Sequence, residues 1–195
     1  MLPYLVFVGA VVGFFFGILP YIKDTLKGKT KPNRVSWLMW SMAPIIGAAA
    51  AVADGVGWAA LPVFTNGFYP LLVFIASFKN KNSYWKLEKF DYFCGFLSAM
   101  ALIFWGITKE PLIAIVFAII SDGFAAIPTL TKSWKYPETE NASPYAVGVF
   151  TTLTSFAAVK TWNFSALAFP IYLIITNAFI AFAILRGRFI KKNKG

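Results

Sequence analysis

Long apolar runs separated by short polar connections dominate the pattern of this chain. A helix rises 1.5 Å per residue, so it needs about 20 mostly apolar residues to cross the hydrocarbon core of a bilayer. Runs of roughly this length recur along the 195 residues. We therefore expect an all-α integral membrane protein with seven transmembrane helices, at Pro3–Ile22, Ser36–Ala53, Val56–Phe78, Tyr92–Thr108, Pro111–Leu130, Pro144–Val159 and Phe164–Leu185.

Prolines support the predicted starts of three of these helices. Pro3, Pro111 and Pro144 each open an apolar run, and proline is well tolerated in the first helical turn because the N–H that it lacks has no partner there. Ser143 is a predicted N-cap for the sixth helix. The first run lacks a basic region before it and is longer than the apolar part of a signal peptide, so we expect a retained helix.

Composition agrees with a membrane protein and narrows the function. The chain is 58% hydrophobic and 13% charged, whereas soluble domains are nearer one half and one quarter. An intramembrane enzyme would need a nucleophile with a base, or metal ligands. With no histidine and one cysteine in the sequence, we expect no enzyme, cofactor or metal site.

The net charge is +10, and the basic residues fall in short clusters between the apolar runs. This distribution is typical of membrane loops rather than of a nucleic-acid interface. With seven crossings, 16 of the 18 basic residues fall on one side and only Lys109 and Lys160 on the other. The positive-inside rule then predicts an outside N-terminus and a cytoplasmic C-terminus in the plasma (inner) membrane.

Two prolines suggest an internal duplication. Pro20 and Pro128 are 108 positions apart, and each lies near the cytoplasmic end of a predicted helix and before a basic loop. Pro62 and Pro170, in the third and seventh predicted helices, have the same spacing. An odd helix count with such a repeat is explained by two parallel halves and one helix that restores the orientation.

This duplication predicts a 3+1+3 arrangement of the helices. Residues 1–78 form the first three-helix repeat, residues 79–110 a linker with the inverting fourth helix, and residues 111–188 the second repeat. Residues 189–195 form a basic cytoplasmic tail.

The chain resembles the PQ-loop superfamily, which includes the SWEET and SemiSWEET transporters. The resemblance is carried by the topology, by Leu19-Pro20 and Ile127-Pro128 before basic loops, and by intramembrane Asn66 and Asn177. Tyr21 and Thr129 stand where the family name implies glutamine. The resemblance implies that Pro20 and Pro128 act as hinges and that the two asparagines line a central substrate pocket.

Asp122 lies in the middle of the fifth predicted helix. Placing a charge in lipid costs at least about 3 kcal/mol on insertion scales, so such a residue usually faces a cavity or a partner. We interpret Asp122 as a substrate-site residue and a protonatable switch that couples proton movement to transport. The alternative is a permanently neutral acid, or one bonded to a hydroxyl such as that of Ser121 or to a neighbouring helix.

Three more side chains are candidates for the substrate pocket. Asn66 and Asn177 each have a donor and an acceptor, which suit a hydroxyl- or amide-bearing substrate, although they could instead bond helices together. Trp40 could stack on a substrate ring, or could serve packing alone.

Two patterns bear on packing and gating. Glycines 9, 13 and 17 form a small-residue face that predicts close helix packing, within the bundle or between protomers. Glu138 and Glu140 stand among basic cytoplasmic residues, and salt bridges from them to Lys23–Arg34 could gate the inner mouth. Exposed pairs of this kind are worth under about 1 kcal/mol.

These features favour a transporter that moves a small polar solute, such as a sugar or an amino acid, by alternating access through a midplane pocket between the repeats. Transport is either passive or proton-coupled. The alternatives are a carrier of vitamins or nucleosides of the PnuC type and a membrane receptor or assembly subunit that does not transport. The expected partners are the lipid bilayer, a small-molecule substrate and, if transport is coupled, protons; the sequence leaves open monomer or homo-oligomer.

Overall fold

The computed structural model describes residues 2–53, 61–108, 110–156 and 162–192, and every regular element within these ranges is helical. Two 3₁₀ turns lie at Lys81–Ser83 and Pro137–Thr139. The longer elements are α1 (Leu2–Val12), a π-helical segment (Gly13–Ile18), α2 (Leu19–Leu26), α3 (Arg34–Ala53), α4 (Leu61–Ala76), α5 (Lys89–Ile107), α6 (Pro111–Lys135), α7 (Ser143–Ser155) and α8 (Phe164–Lys192).

These elements make seven helical rods, because α1, the π-helical segment and α2 follow one another without a break. The expected all-helical fold with seven helices is thus confirmed over the described residues. Three of the rods contain stretches long and apolar enough to cross a membrane, at Phe7–Leu26, Ile115–Lys135 and Ala166–Gly187.

Several helices extend beyond their predicted ends. The fifth rod continues past Leu130 to Lys135, and the seventh continues past Leu185 to Lys192, so residues 189–192 of the predicted tail are helical. Apolar runs mark only the part of a helix that lipid or core covers, whereas backbone hydrogen bonding continues into polar sequence. Residues 56–60 and 157–159 of two predicted helices lie outside the described residues.

The helix starts are partly as expected. Pro111 and Pro144 occupy the first turns of α6 and α7, whereas the prediction that Ser143 caps α7 is wrong. Asn141 Oδ1 instead accepts the Ser143 N–H at 2.8 Å, and the Ser143 hydroxyl donates to the carbonyl of Gly17 at 3.0 Å. An asparagine two residues upstream reaches the first amide directly.

The helices pack as a ring of six rods with a seventh outside it. Among the helices before α5, which we call the first half, α4 packs on α1, α2 and α3. Among the helices after α5, the second half, α8 packs on α6 and α7. The halves meet where α3 packs on α6 and where α1 packs on α7, and α5 lies against α3 and α6.

The glycine face of the first rod packs within the chain. A Cβ atom on Gly9 would lie 2.9 Å from Thr154 Oγ1, and the neighbours of Gly13 and Gly17 include Thr151 and Val147, all on α7. The intramolecular alternative for this face is therefore confirmed. It brings the first rod of one half close to the middle helix of the other.

The basic connections meet at one end of the ring, which we call the basic end. The Lys31 N–H donates to the carbonyl of Thr139 at 2.9 Å, so the connections after α2 and after α6 touch. Asn80, after α4, donates to the carbonyl of Leu26 at 2.8 Å.

Candidate functional site

Asp122 has a partner on a neighbouring helix. The Tyr172 hydroxyl on α8 donates to Asp122 Oδ2 at 2.8 Å. Ser121, the nearer hydroxyl in sequence, points instead to α5, where it bonds the carbonyl of Ser98 at 2.9 Å. Protonation would change Asp122 from an acceptor-only group into one that can also donate, so its partnership with Tyr172 depends on its charge.

Tyr172 also lines a cleft of about 560 Å³ between α6 and α8. The remaining lining is apolar, so this cleft suits lipid chains better than a polar solute. Its other residues are Ile119, Phe164, Leu167, Ala168, Ile171 and Ile175.

The two intramembrane asparagines lie in different surroundings. Asn177 is half-buried, donates to the carbonyl of Leu173 at 2.9 Å and faces Gly148 of α7. Asn66 is exposed on α4. Asn66 lies on α4 in the first half and Asn177 on α8 in the second. The two asparagines are therefore not in contact. Their shared pocket remains a prediction.

Trp40 belongs to a cluster of aromatic side chains near the basic end, which we call the aromatic seal: Tyr21, Trp37, Trp40 and Tyr145. Ring centroids are 4.9 Å apart for Tyr21 and Trp37, 5.3 Å for Trp37 and Trp40, and 6.4 Å for Trp40 and Tyr145. Trp40 is only half-buried, so it packs against Trp37 and Tyr145 and still presents some surface. The packing interpretation of Trp40 accounts for these contacts, and its contact with substrate stays a prediction.

The two prolines act differently on their helices. Proline lacks an N–H and leaves the carbonyl four residues earlier without its helical partner. Before Pro20 the chain forms a π-helical segment. Such segments are rare in proteins, and those that occur often lie at functional sites. Pro128 instead lies inside the continuous helix α6. The predicted hinge role of both prolines stays a prediction, but only Pro20 follows an irregular backbone.

A buried ion pair lies beside the seal. Lys132 Nζ is 2.6 Å from Glu140 Oε1, and the two side chains are 1% and 0% exposed. The Tyr21 hydroxyl donates to Glu140 Oε2 at 2.7 Å, and Lys132 also donates to the carbonyl of Lys31. The prediction that Glu140 pairs with Lys23–Arg34 is therefore wrong. Glu140 pairs with Lys132 of α6, because the chain turns back on itself after Lys135 and buries the acid.

Two asparagines that the sequence analysis missed lie just before α3 and α7. Asn33 Oδ1 accepts the Val35 N–H at 3.1 Å, and Asn141 Oδ1 accepts the Ser143 N–H at 2.8 Å. Their amide groups donate to carboxylates, at 3.0 Å to Asp91 and at 2.6 Å to Asp24. A signal was present, since each asparagine follows its proline by thirteen residues.

No family model, curated protein or solved structure matches this chain. Among the residues that the structure describes, no three His, Cys, Asp or Glu side chains are grouped so that they could hold a metal ion. Function is therefore inferred from the geometry of the chain itself.

Proposed function

We propose that this protein is a membrane transporter that moves a small polar solute by alternating access, through a pathway between the two halves of its helical ring. The observation that carries the proposal is the layer at the basic end, where the aromatic seal and the buried Lys132–Glu140 pair lie between the two halves. Asp122 lies ten residues before Lys132 on α6, about 15 Å deeper. Polar groups below a closed layer are what an occluded pathway requires.

The proposal includes two parallel three-helix repeats joined by α5, as in the PQ-loop superfamily. The packing supports this, because the third helix lies between the first and second in both halves. So do the equivalent bonds of Asn33 and Asn141, at the same spacing of 108 as Pro20 and Pro128. Independent helices would have no reason to repeat a capping bond at that interval.

The proposed orientation places the basic end in the cytoplasm and the N-terminus outside. The supporting observation is that three basic connections share one end and the last helix ends there too, since Arg186 donates to the carbonyl of Trp134 at 3.0 Å. The positive-inside rule assigns that end to the cytoplasm.

We assign proton coupling to Asp122, and substrate contact to Asn177 with Asp122. The Asp122–Tyr172 pair supports the coupling role, because its hydrogen bond changes with the protonation of the carboxyl. Asn66 is the weaker contact candidate because it lies exposed on α4. A ring-bearing vitamin or nucleoside would be the substrate if Trp40 contacts it.

The test begins with the purified protein in detergent, screened by thermal shift against sugars, amino acids and nucleosides. We expect one class to stabilise the wild type and the Asn66→Ala variant, and to stabilise Asn177→Ala much less. Equal stabilisation of both variants would remove the asparagine pocket.

The ligand so found is then offered in radiolabelled form to proteoliposomes. We expect uptake that saturates with concentration and is absent from protein-free vesicles. Binding without uptake would identify a receptor or assembly subunit instead of a transporter.

A further inference from the structure

The contacts of Lys132 and Glu140 cross from one half of the ring to the other. Both residues belong to the second half, yet Glu140 accepts the hydroxyl of Tyr21 and Lys132 donates to the carbonyl of Lys31, both in the first half. Lys31 N–H in turn bonds the carbonyl of Thr139 at 2.9 Å. This small polar network ties the halves together at the basic end, beside the bond from Asn141 to Asp24 at 2.6 Å.

The burial of this network makes it sensitive to separation. Removing two charges from water is costly, and their attraction offsets the cost only while the pair stays intact and its remaining atoms are hydrogen-bonded. Tyr21 and the Trp85 ring, whose centroid is 4.8 Å from Lys132 Nζ, supply such contacts. The pair therefore favours one docked arrangement of the halves.

The interface between the halves also contains buried hydroxyl groups that water would stabilise. The hydroxyls of Ser36, Thr129 and Ser133 are buried and have no hydrogen-bond partner within the described residues. They lie on α3 and α6, one of the two helix pairs through which the halves meet. A buried hydroxyl without a partner is destabilising, so admission of water here offsets part of the cost of opening.

We propose that Tyr21, Lys132 and Glu140 form a latch that closes the solute pathway at the basic end and breaks each time that end opens. The inference rests on the proposed transport function and names the gate of that pathway. Closure is then a balance between the ion pair, which holds the halves together, and the buried hydroxyls, which favour water.

A thiol-accessibility experiment tests the latch without any substrate. Ala181 is buried in the same cluster as Tyr21, Trp37 and Tyr145, so a cysteine there reports opening. In a Cys94→Ala, Ala181→Cys background, a water-soluble maleimide should react with purified protein about tenfold faster after Glu140→Gln or Lys132→Met, because either change leaves a buried partner unpaired. Unchanged rates in both variants would overturn the latch.

Matched controls separate opening from unfolding and from a general loss of hydrogen bonds. The otherwise wild-type chain carries only Cys94, which is buried on α5, and it should stay protected when Glu140→Gln is introduced. Tyr21→Phe should raise labelling a few-fold. Tyr69→Phe, which removes the bond from its hydroxyl to the carbonyl of Ala10 at 2.9 Å, should leave labelling unchanged. Equal effects of the two phenylalanine substitutions would contradict the latch.

A reversible disulfide tests whether the basic end must open for transport. Lys31→Cys and Thr139→Cys, in the Cys94→Ala, Ala181→Cys background, place two further thiols on hydrogen-bonded backbone segments. After oxidation, labelling at position 181 should fall below the rate of the reduced protein, and uptake into proteoliposomes should stop until a reductant is added. Uptake that continues after oxidation would show that this end is not the gate.

The two sets of results distinguish the inference from the proposed function. Labelling that follows the latch variants, in a protein that binds ligand but transports nothing, supports a latch in a receptor and removes the transporter. Uptake with labelling that ignores the latch variants keeps the transporter and removes the latch.

Discussion

In the first half of the ring, the first and third helices meet through aromatic rings: Phe14 packs on Tyr69 with centroids 5.6 Å apart. In the second half, the residue 108 positions after Phe14 is Asp122, and it accepts a hydrogen bond from Tyr172 at 2.8 Å. Both contacts join the first helix of a half to its third, although Tyr172 lies 103 positions after Tyr69 rather than 108. One is insensitive to protonation and the other changes with it, so the halves share a packing scheme but differ in chemistry.

The backbones of the two halves also differ, and here the first half is the irregular one. The first rod contains the π-helical segment before Pro20, whereas α6 stays α-helical around Pro128. The first half therefore holds the irregular backbone and the second half the titratable carboxyl. Within the proposed mechanism, this division assigns bending to the first rod and coupling to α6. Four predictions sharpen the comparison.

The largest effect is expected from Asp122→Asn, which keeps the size of the side chain but removes its titration. Uptake driven by a pH gradient should fall at least about 100-fold, as for a group that acts in proton transfer. Phe14→Leu, at the equivalent position, should leave the response to the gradient intact. The measurement is uptake into proteoliposomes with and without an imposed gradient. Asp122→Asn uptake that still rises with the gradient as in the wild type would end the proton-coupling proposal.

The next prediction compares one tight helix contact from each half. A Cβ at Gly67 would lie 2.8 Å from the backbone of Ser41 and Ile45, which cannot move aside, whereas one at Gly148 would meet the side chain of Asn177 at 3.1 Å. Gly67→Ala should cost about 1–3 kcal/mol, several degrees in Tm for a chain of this size.

Gly148→Ala should cost less stability but weaken the binding of any ligand that needs Asn177. Gly106→Ala is the control, because nothing lies within 4 Å of its added Cβ. Thermal unfolding in detergent checks the series. A Tm for Gly67→Ala equal to that of Gly106→Ala would contradict the observed close approach of α3 and α4.

The equivalent capping asparagines provide a third comparison. Asn33→Ala and Asn141→Ala should each destabilise the protein by about 0.5–2 kcal/mol through loss of the cap. Asn33 should matter more, because it is fully buried and its loss leaves the buried Asp91 without its amide partner. Denaturation midpoints of both variants test this order. A larger loss for Asn141→Ala would mean that its bond to Asp24 outweighs burial.

The smallest effect concerns the two tyrosines of the opening comparison. Tyr69→Phe and Tyr172→Phe each remove one hydroxyl bond, worth about 0.5–1.5 kcal/mol for a neutral pair. Only Tyr172→Phe should shift the pH dependence of uptake, toward higher pH, because the ionised carboxyl loses a donor and the protonated form persists further. Identical pH profiles for the two variants would separate Tyr172 from coupling.

The sequence was a good guide to features that depend on local composition. Apolar runs predicted the helices, Pro111 and Pro144 marked two starts, and the glycine face predicted close packing. It failed where distant side chains decide the outcome. Tyr21 and Glu140 are 119 positions apart, and no spacing rule links Tyr172 to Asp122. Glu140 was expected to be exposed because its neighbours are polar, yet the turn after α6 buries it.

The length of α8 has a consequence for the bilayer. Its 29 residues span about 43 Å, against about 30 Å of hydrocarbon in a typical membrane. Arg186 lies over the Trp134 ring at 3.6 Å, about 33 Å along the helix from Phe164, and an arginine on a tryptophan marks the headgroup level. If α8 crosses a bilayer, its last turns therefore project into the headgroups and water. In a thinner bilayer, a helix of this length would have to tilt, kink or thicken the bilayer locally.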